Sequence, residues 1–161
     1  MTALARYDAS ADASNEATLH VLFNVAGAEY ALPSQTVLQM ESFVGATPVP
    51  GAPPFVTGIV QIRGRVVPVV DLRIRFGHAM TPVGIDSRII IGQHGDRVVG
   101  LLADSAREVM KLSAAQWKPT PPILDYQASG YVKAVAQLGT RLVMLVDFAK
   151  VIGEETIDVI E

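Results

Sequence analysis

Short runs rich in valine and isoleucine recur along the chain, and glycine, proline or a polar turn residue ends each run. Valine and isoleucine make up about a fifth of the 161 residues, and β-branched side chains favour strands. Such runs between turn signals predict about ten short strands arranged in barrels or a sandwich. We expect a mainly β protein with two small five-stranded β-barrels packed on a shared apolar core, followed by a short C-terminal helix.

The strand signals fall into two groups, separated by a connector near residues 78–87. Each group alone is too small to bury a thick core, so the two groups are expected to share one apolar interface. The expected segments are a flexible N-terminal tail at 1–17, a first barrel at about 18–80, a second barrel at about 87–146, a closing helix at 147–153 and an acidic tail at 154–161.

The composition excludes several classes of function. Hydrophobic residues make up 50% and charged residues 18%, the mean hydropathy is +0.33, and the net charge is −3. Without cysteine the chain has no disulfides, thiolate chemistry or Cys-based zinc sites, which fits a reducing compartment. The negative charge leaves no broad basic surface for nucleic acid or anionic lipid. We expect a cytoplasmic protein whose surplus apolar surface binds a partner.

The longest stretch without a charged residue, Ser42–Ile62, is long enough to span a bilayer. It contains Pro48, Pro50, Pro53 and Pro54, and these prolines exclude a membrane helix. The stretch therefore predicts a loop that leads into a strand. The N-terminus lacks the apolar core of a signal peptide.

Several local signals predict individual elements. Asp71 and Asp147 each precede a helical pattern and are expected to be N-caps. Val37–Phe43 predicts a strand with Val37, Gln39 and Glu41 on one face and Leu38 and Met40 on the other. Pro68, inside a strand pattern, indicates an edge strand or a bulge.

Catalytic and cofactor motifs are missing from the sequence. Nucleotide-binding and nucleophile motifs are absent, and His20, His78 and His94 have no metal-ligand spacing. We therefore predict no metal, no cofactor and no enzyme activity. Two alternatives stay open, a small hydrolase that uses Asp71 and His78 and a sensor domain whose apolar groove binds a small ligand.

Arginine is concentrated around one predicted hairpin, where Arg63 and Arg65 flank Gly64. These arginines fit either of two roles. They could be solubilising charges at a strand end. Alternatively, they could anchor a partner, because the planar guanidinium gives directional hydrogen bonds. Trp117, the single tryptophan, is either a core residue or an interface anchor.

The segment Gly58–Gly77, GIVQIRGRVVPVVDLRIRFG, resembles the central signature of the CheW family of chemotaxis coupling proteins. That signature is close to G-x-x-N-L-R-G-x-x-x-P-x-x-D-L-R, and the resemblance continues over about residues 18–153. The positions that match are Gly58, Arg63, Gly64, Pro68, Asp71, Leu72 and Arg73, of which we take Gly58, Gly64, Pro68, Asp71 and Arg73 as the structural signature.

The resemblance implies two five-stranded barrels with a shared core and a non-catalytic adaptor. Such proteins join the cytoplasmic tips of methyl-accepting chemoreceptors to the regulatory domain of the histidine kinase CheA. They have no cofactor and are recruited to membrane-associated receptor arrays, without inserting into the membrane.

The resemblance also implies two contact surfaces. The residues expected to bind the receptor are Val37, Gln39, Ile59, Arg63, Arg88 and Ile89. The residues expected to bind the kinase are Met40, Glu41, Phe43 and Val44. Gln39 and Gln61 depart from the family pattern, which usually has Glu and Asn there. The departures leave open an adaptor of a variant pathway, such as type IV pilus twitching motility.

Overall fold

The computed structural model of the chain describes residues 17–79, 82–120 and 129–153. Apart from Ala17, the predicted tails at 1–17 and 154–161 lie outside these residues. No helix in the described ranges is long and apolar enough to cross a membrane.

Eleven strands lie in the described residues, together with two short α-helices, and they form two sheets. The six-stranded sheet contains β1 (Ala17–Val25), β2 (Ala28–Pro33), β8 (Ser105–Ser113), β9 (Trp117–Lys118), β10 (Val132–Leu138) and β11 (Arg141–Val146). The five-stranded sheet contains β3 (Val37–Ser42), β4 (Val56–Ile62), β5 (Arg65–Asp71), β6 (Arg88–His94) and β7 (Arg97–Ala103). The helices are α1 (Leu72–Arg75) and α2 (Phe148–Ile152).

The mainly β prediction is confirmed, but the strands are not divided between the sheets as predicted. The orders are β8-β1-β2-β11-β10-β9 and β3-β6-β7-β5-β4, so each sheet takes strands from both halves of the chain. The division into barrels at 18–80 and 87–146 therefore does not follow the strand pairing. The parallel pairs β2–β11 and β5–β7 join distant segments, which no local turn signal can reveal.

Neither sheet closes into a barrel through the strand pairs of the described residues, although the six-stranded sheet is strongly curled. Arg141 on β11 donates to Glu29 on β2 at 2.9 and 2.7 Å and to Glu108 on β8 at 2.8 Å. Three strand spacings separate β11 from β8, or about 14 Å in a flat sheet. The contact therefore requires the sheet to curl around its interior side chains.

The shared apolar core is confirmed. One buried cluster combines residues of both sheets, such as Phe23 and Tyr30 from the six-stranded sheet and Val99 and Leu101 from the other. Phe148 of α2 also belongs to it. A second cluster, around Ile89 and Ile91, fills the concave side of the five-stranded sheet.

The predicted helix caps are confirmed. The Asp71 Oδ1 accepts from the Arg73 backbone N–H at 2.9 Å at the start of α1. The Asp147 Oδ1 accepts from the Lys150 backbone N–H at 3.3 Å at the start of α2. Both caps satisfy orphan N–H groups of a helix end.

The expectation for Pro68 is wrong, because β5 lies inside its sheet and Pro68 is not bulged. It lies opposite Ile59 of β4, but the backbone of Ile59 exchanges two hydrogen bonds of 2.9 Å with Thr47 instead. On the other side, the pairing of β5 with β7 begins only at Val69. The missing N–H of the proline therefore costs no ladder bond.

Candidate partner-binding site

The turn between β4 and β5 holds Arg63 in a left-handed conformation. Arg63 has φ 51° and Gly64 has φ 79°, the pattern of a type I′ hairpin turn. Glycine adopts this region freely, whereas arginine is strained in it. The Arg63 side chain is exposed, and it makes no hydrogen bond or ion pair within the described residues.

Gly58 allows the proline-containing segment to lie against β4. A Cβ built on Gly58, which has φ 153°, would stand 2.3 Å from the Thr47 carbonyl oxygen. Because that oxygen is also bonded to the Ile59 N–H, the clash could not be relieved without breaking the bridge. Gly64 meets nothing within 4 Å, so the turn conformation alone requires glycine there.

Asp71 and Arg73 form a buried ion pair that connects the two sheets. The Arg73 Nε donates to Asp71 Oδ1 at 3.0 Å and its Nη2 to Oδ2 at 3.1 Å. The Arg73 Nη1 also donates to Asp104 at 3.4 Å, and the other oxygen of Asp104 accepts from the Ala26 N–H at 2.7 Å. The pair thus connects the end of β5 to the β1–β2 turn.

The pKa of Arg73 is set by opposing effects. Burial lowers the pKa, but hydrogen bonds to Asp71 and the charges of Asp71 and Asp104 outweigh it, so the net pKa is raised. Arg73 therefore stays charged inside the protein, and its partners are part of the fold rather than of a reactive site.

Two ends of the five-stranded sheet carry different predicted residues. Strands β5 and β7 are parallel, and the pairs β3–β6, β6–β7 and β4–β5 are antiparallel. Strands β3, β5 and β7 therefore begin at the end of the sheet where β4 and β6 finish. We call this the hairpin end. Val37 and Arg63, both predicted receptor residues, lie there. The opposite end holds Arg88.

A bulge in β3 separates two residues that were predicted to share a face. Val37 lies opposite Gly92 and Gln39 opposite Ile91, with a register shift between them. Opposed side chains in an antiparallel pair lie on the same face, so Val37 and Gln39 lie on opposite faces. Val37 packs against the shared core. The face prediction is wrong for Val37 because the sequence gives no signal for the extra residue.

A groove of about 480 Å³ lies between the edge strands β3 and β4. Its lining brings together three predicted kinase residues with two predicted receptor residues, namely Glu41, Phe43, Val44, Ile59 and Ile89. The apolar cluster around Ile89 forms its floor, while the segment after β3 forms one wall.

The remaining predicted residues differ in how accessible they are. Met40 is exposed, and Val44 is 95% exposed. Phe43 and Ile89 are buried, so they support the groove from below. The Arg88 Nη1 donates to the carbonyl oxygens of Ile85 and Ser87, each at 2.9 Å. The Gln39 side-chain amide donates to the carboxylate of Glu41.

The hydrolase alternative is contradicted at Asp71. Its carboxylate is buried and both oxygens accept from Arg73, whereas His78 is exposed. No cluster of three or more His, Cys, Asp or Glu side chains suited to a metal occurs in the part of the chain that the structure describes.

Sequence reasoning missed three residues that shape this region. Thr47 pairs with Ile59, Asp104 reaches Arg73, and Arg97 begins β7 at the hairpin end. The first two act through contacts between distant parts of the chain. Arg97 stands in a turn-flanking position that is typical of a solubilising charge, so nothing local distinguished it.

The comparisons with known proteins agree with this geometry. The family model described as CheW-like domain matches residues 19–156. The chain belongs to this CheW-like domain family. The match includes the whole signature hairpin, the ion pair at its end and both sheets.

Relatives and a solved structure extend over most of the CheW-like chain. The Chemotaxis protein CheW of Klebsiella aerogenes is 28% identical over 141 residues, 88% of this chain and 85% of that protein. Protein FrzA of Myxococcus xanthus is 28% identical over 131 residues, 81% of this chain and 82% of that protein. The crystal structure of the scaffolding protein TtCheW from Thermoanaerobacter tengcongensis matches with a TM-score of 0.75 and 29% identity, covering 81% of this chain and 89% of that chain.

Proposed function

We propose that this CheW-like chain is a non-catalytic chemotaxis adaptor that couples chemoreceptors to a CheA-type histidine kinase. Arg63 is the observation that carries the proposal. Its backbone is strained, and its exposed guanidinium has no partner in the part of the chain that the structure describes. Strain retained at an exposed residue is typical of functional positions, and arginine is enriched among interface anchors.

The receptor is proposed to contact the hairpin end, at Val37 and Arg63, whereas Ile59, in the middle of β4, lines the adjoining groove. Val66, on the same hairpin, is 48% exposed and adds apolar surface beside the guanidinium. An apolar surface with a few cationic fixers suits the helical tip of a receptor. Gln39, Arg88 and Ile89 then act by supporting β3 and β6 rather than by contact.

The kinase regulatory domain is proposed to contact the groove between β3 and β4. Met40 and Val44 offer exposed apolar side chains at its rim, and Glu41 adds a carboxylate in the lining. The outer side of β3 has no sheet neighbour among the described residues, so it also offers backbone hydrogen-bonding groups to a partner, whereas Ile59 on β4 is already bonded to Thr47. The protein is proposed to be cytoplasmic and to join receptor arrays through these two contacts.

The test uses one substitution at each of the two surfaces. Arg63→Asn keeps a residue that tolerates the left-handed turn but removes the guanidinium, and Val44→Asp places a charge on the groove rim. Each variant is titrated by calorimetry with a soluble receptor-tip fragment and with the kinase regulatory domain. Arg107→Asn on β8 and Leu142→Asp on β11, at exposed positions of the other sheet, serve as matched controls.

We expect Arg63→Asn to weaken receptor binding about tenfold or more and Val44→Asp to weaken kinase binding by a similar factor. The controls should change either affinity by less than about threefold. Wild-type protein that binds neither partner would exclude the adaptor function. Equal effects of the variants and the controls would exclude the two surfaces.

An adaptor of a variant pathway is the second candidate, and Gln39 favours it. The amide of Gln39 donates to Glu41, so a charge that the family usually presents there is absent and a neighbouring carboxylate is engaged. The similarity to Protein FrzA is compatible with this reading. Binding of the kinase domain encoded beside this gene, in preference to other CheA-type domains, decides between the two pathways.

A further inference from the structure

Arg97 presents an unusual electrostatic situation at the hairpin end. Its Nε and Nη2 are buried and have no hydrogen-bond partner within the described residues. No other side-chain nitrogen or oxygen among the described residues is in this state. Burying part of a guanidinium without a hydrogen-bond partner is costly, although the Arg97 residue as a whole is only half-buried.

The position of Arg97 directs it toward the proposed receptor surface. It lies directly opposite His94 in the β6–β7 hairpin. The parallel pairing of β5 with β7 begins at Val69 and Gly100, so Val66 and Arg97 each lie three residues before it, at the hairpin end of neighbouring strands. Arg97 is on the same face of β7 as Val99, a member of the shared core. Arg97 therefore lies at the hairpin end of the face that carries the shared core, on the strand next to that of the exposed Val66.

The chemistry of the unpartnered atoms specifies the ligand. Nε and Nη2 form the edge of the guanidinium that binds a carboxylate through two parallel hydrogen bonds. A buried apolar surround makes such a pair stronger than it would be in water. An acidic side chain on a helical partner would pair with the guanidinium. Apolar residues beside that side chain would pack on Val66.

We infer that Arg97 binds a carboxylate of the receptor tip and fixes the register of the receptor on the hairpin end. The inference rests on the proposed adaptor function. It adds a residue and a ligand chemistry to that function, since Arg63 was expected to make contact and Arg97 was not. Because the cost of the bare cation is relieved only in the complex, Arg97 contributes to binding and not to folding.

The first measurement separates a binding role from a structural one. Arg97→Met is expected to leave the urea midpoint of unfolding unchanged or to raise it, because it removes an unpaired cation. Arg73→Met, which breaks a paired and buried arginine, is expected to lower the midpoint. A lower midpoint for Arg97→Met would overturn the inference.

The second measurement is the affinity for a soluble receptor-tip fragment at low and high salt. Arg97→Met should weaken binding about tenfold or more, Arg97→Lys should weaken it less, and the exposed control Arg107→Met, on the other sheet, should leave it within about threefold. The wild-type affinity should also fall more steeply with salt than that of Arg97→Met. Wild-type binding with no loss in Arg97→Met would overturn the inference and leave the adaptor function intact, whereas absence of wild-type binding would overturn both.

The acidic residues at 154–161 are the alternative source of a carboxylate, and a third variant tests them. Full-length protein with Glu154→Gln, Glu155→Gln, Asp158→Asn and Glu161→Gln keeps the chain length but removes these carboxylates. We expect its midpoint and receptor affinity to match the wild type. If it instead shows the receptor affinity of Arg97→Met, the carboxylate comes from this chain and the inference is overturned.

Discussion

Asp71→Asn tests whether the buried ion pair of the signature holds the fold together. Asparagine keeps the size of the side chain and the Oδ1 that caps α1. It removes the negative charge and replaces Oδ2, which accepts from Arg73 Nη2 at 3.1 Å, with an amide donor. The guanidinium of Arg73, only 3% exposed, is then left without its main counter-ion.

The expected loss of stability is large for a change of so few atoms. Removing one partner of a buried ion pair typically costs about 3–5 kcal/mol. Asp104 stays near Arg73, but its oxygen is 3.4 Å away and its side chain is one-third exposed. It therefore offsets only a small part of the lost free energy of unfolding. With a urea slope of about 2 kcal/mol per M, the midpoint should fall by roughly 1.5–2.5 M. Fluorescence of Trp117, the single tryptophan, reports the transition.

The chain contains a matched control for this experiment. Asp147 caps α2 as Asp71 caps α1, but no arginine pairs with it in the described residues. Asp147→Asn should therefore cost less than about 0.5 kcal/mol. The double variant Asp71→Asn with Arg73→Met removes both charges and should recover part of the loss. Equal losses at the two caps, or a double variant no more stable than Asp71→Asn, would refute the argument.

The two remaining predictions concern a pair of glycines and a buried histidine. Gly58→Ala should lower stability by about 2–4 kcal/mol, because its Cβ would stand 2.3 Å from a backbone oxygen. Gly64→Ala should lower stability by only about 1 kcal/mol. Equal urea midpoints for the two variants would contradict this prediction. Burial lowers the pKa of His20 from 6.5, so the unfolded chain binds more protons below that pH and stability should decline as pH falls through this range. Urea unfolding at several pH values measures this decline, which His20→Gln should flatten and the exposed control His78→Gln should keep. Identical stability–pH profiles for the wild type and both variants would contradict the role of His20.

Features that depend on neighbouring residues could be predicted from the sequence. The caps at Asp71 and Asp147 and the turn at Arg63-Gly64 are each specified within a few positions, because side-chain capping and left-handed turns are local chemistry. The shared core followed from the size of each half. These features are confirmed by the structure.

Features that depend on distant pairing could not be predicted. Pro68 fits an interior strand only because Thr47 takes the backbone of Ile59, and Val37 lies apart from Gln39 only because β3 is bulged. Both facts arise from which strands meet, and hydrophobic alternation is the same for many pairings. Arg97 escaped notice for the same reason, since its burial comes from strands that lie far away in sequence.

The topology also explains how one small sheet could serve two partners at once. The receptor surface proposed at Arg63 and the rim of the groove at Val44 lie toward opposite ends of the five-stranded sheet. Strands β4 and β5 are 7 residues long, which corresponds to about 23 Å at 3.3 Å per residue. That length leaves room for a helical tip of about 10–12 Å diameter at one end without covering the other. An adaptor must bind both partners simultaneously, and a rigid sheet that holds the two surfaces apart at a fixed distance meets that requirement without any conformational change.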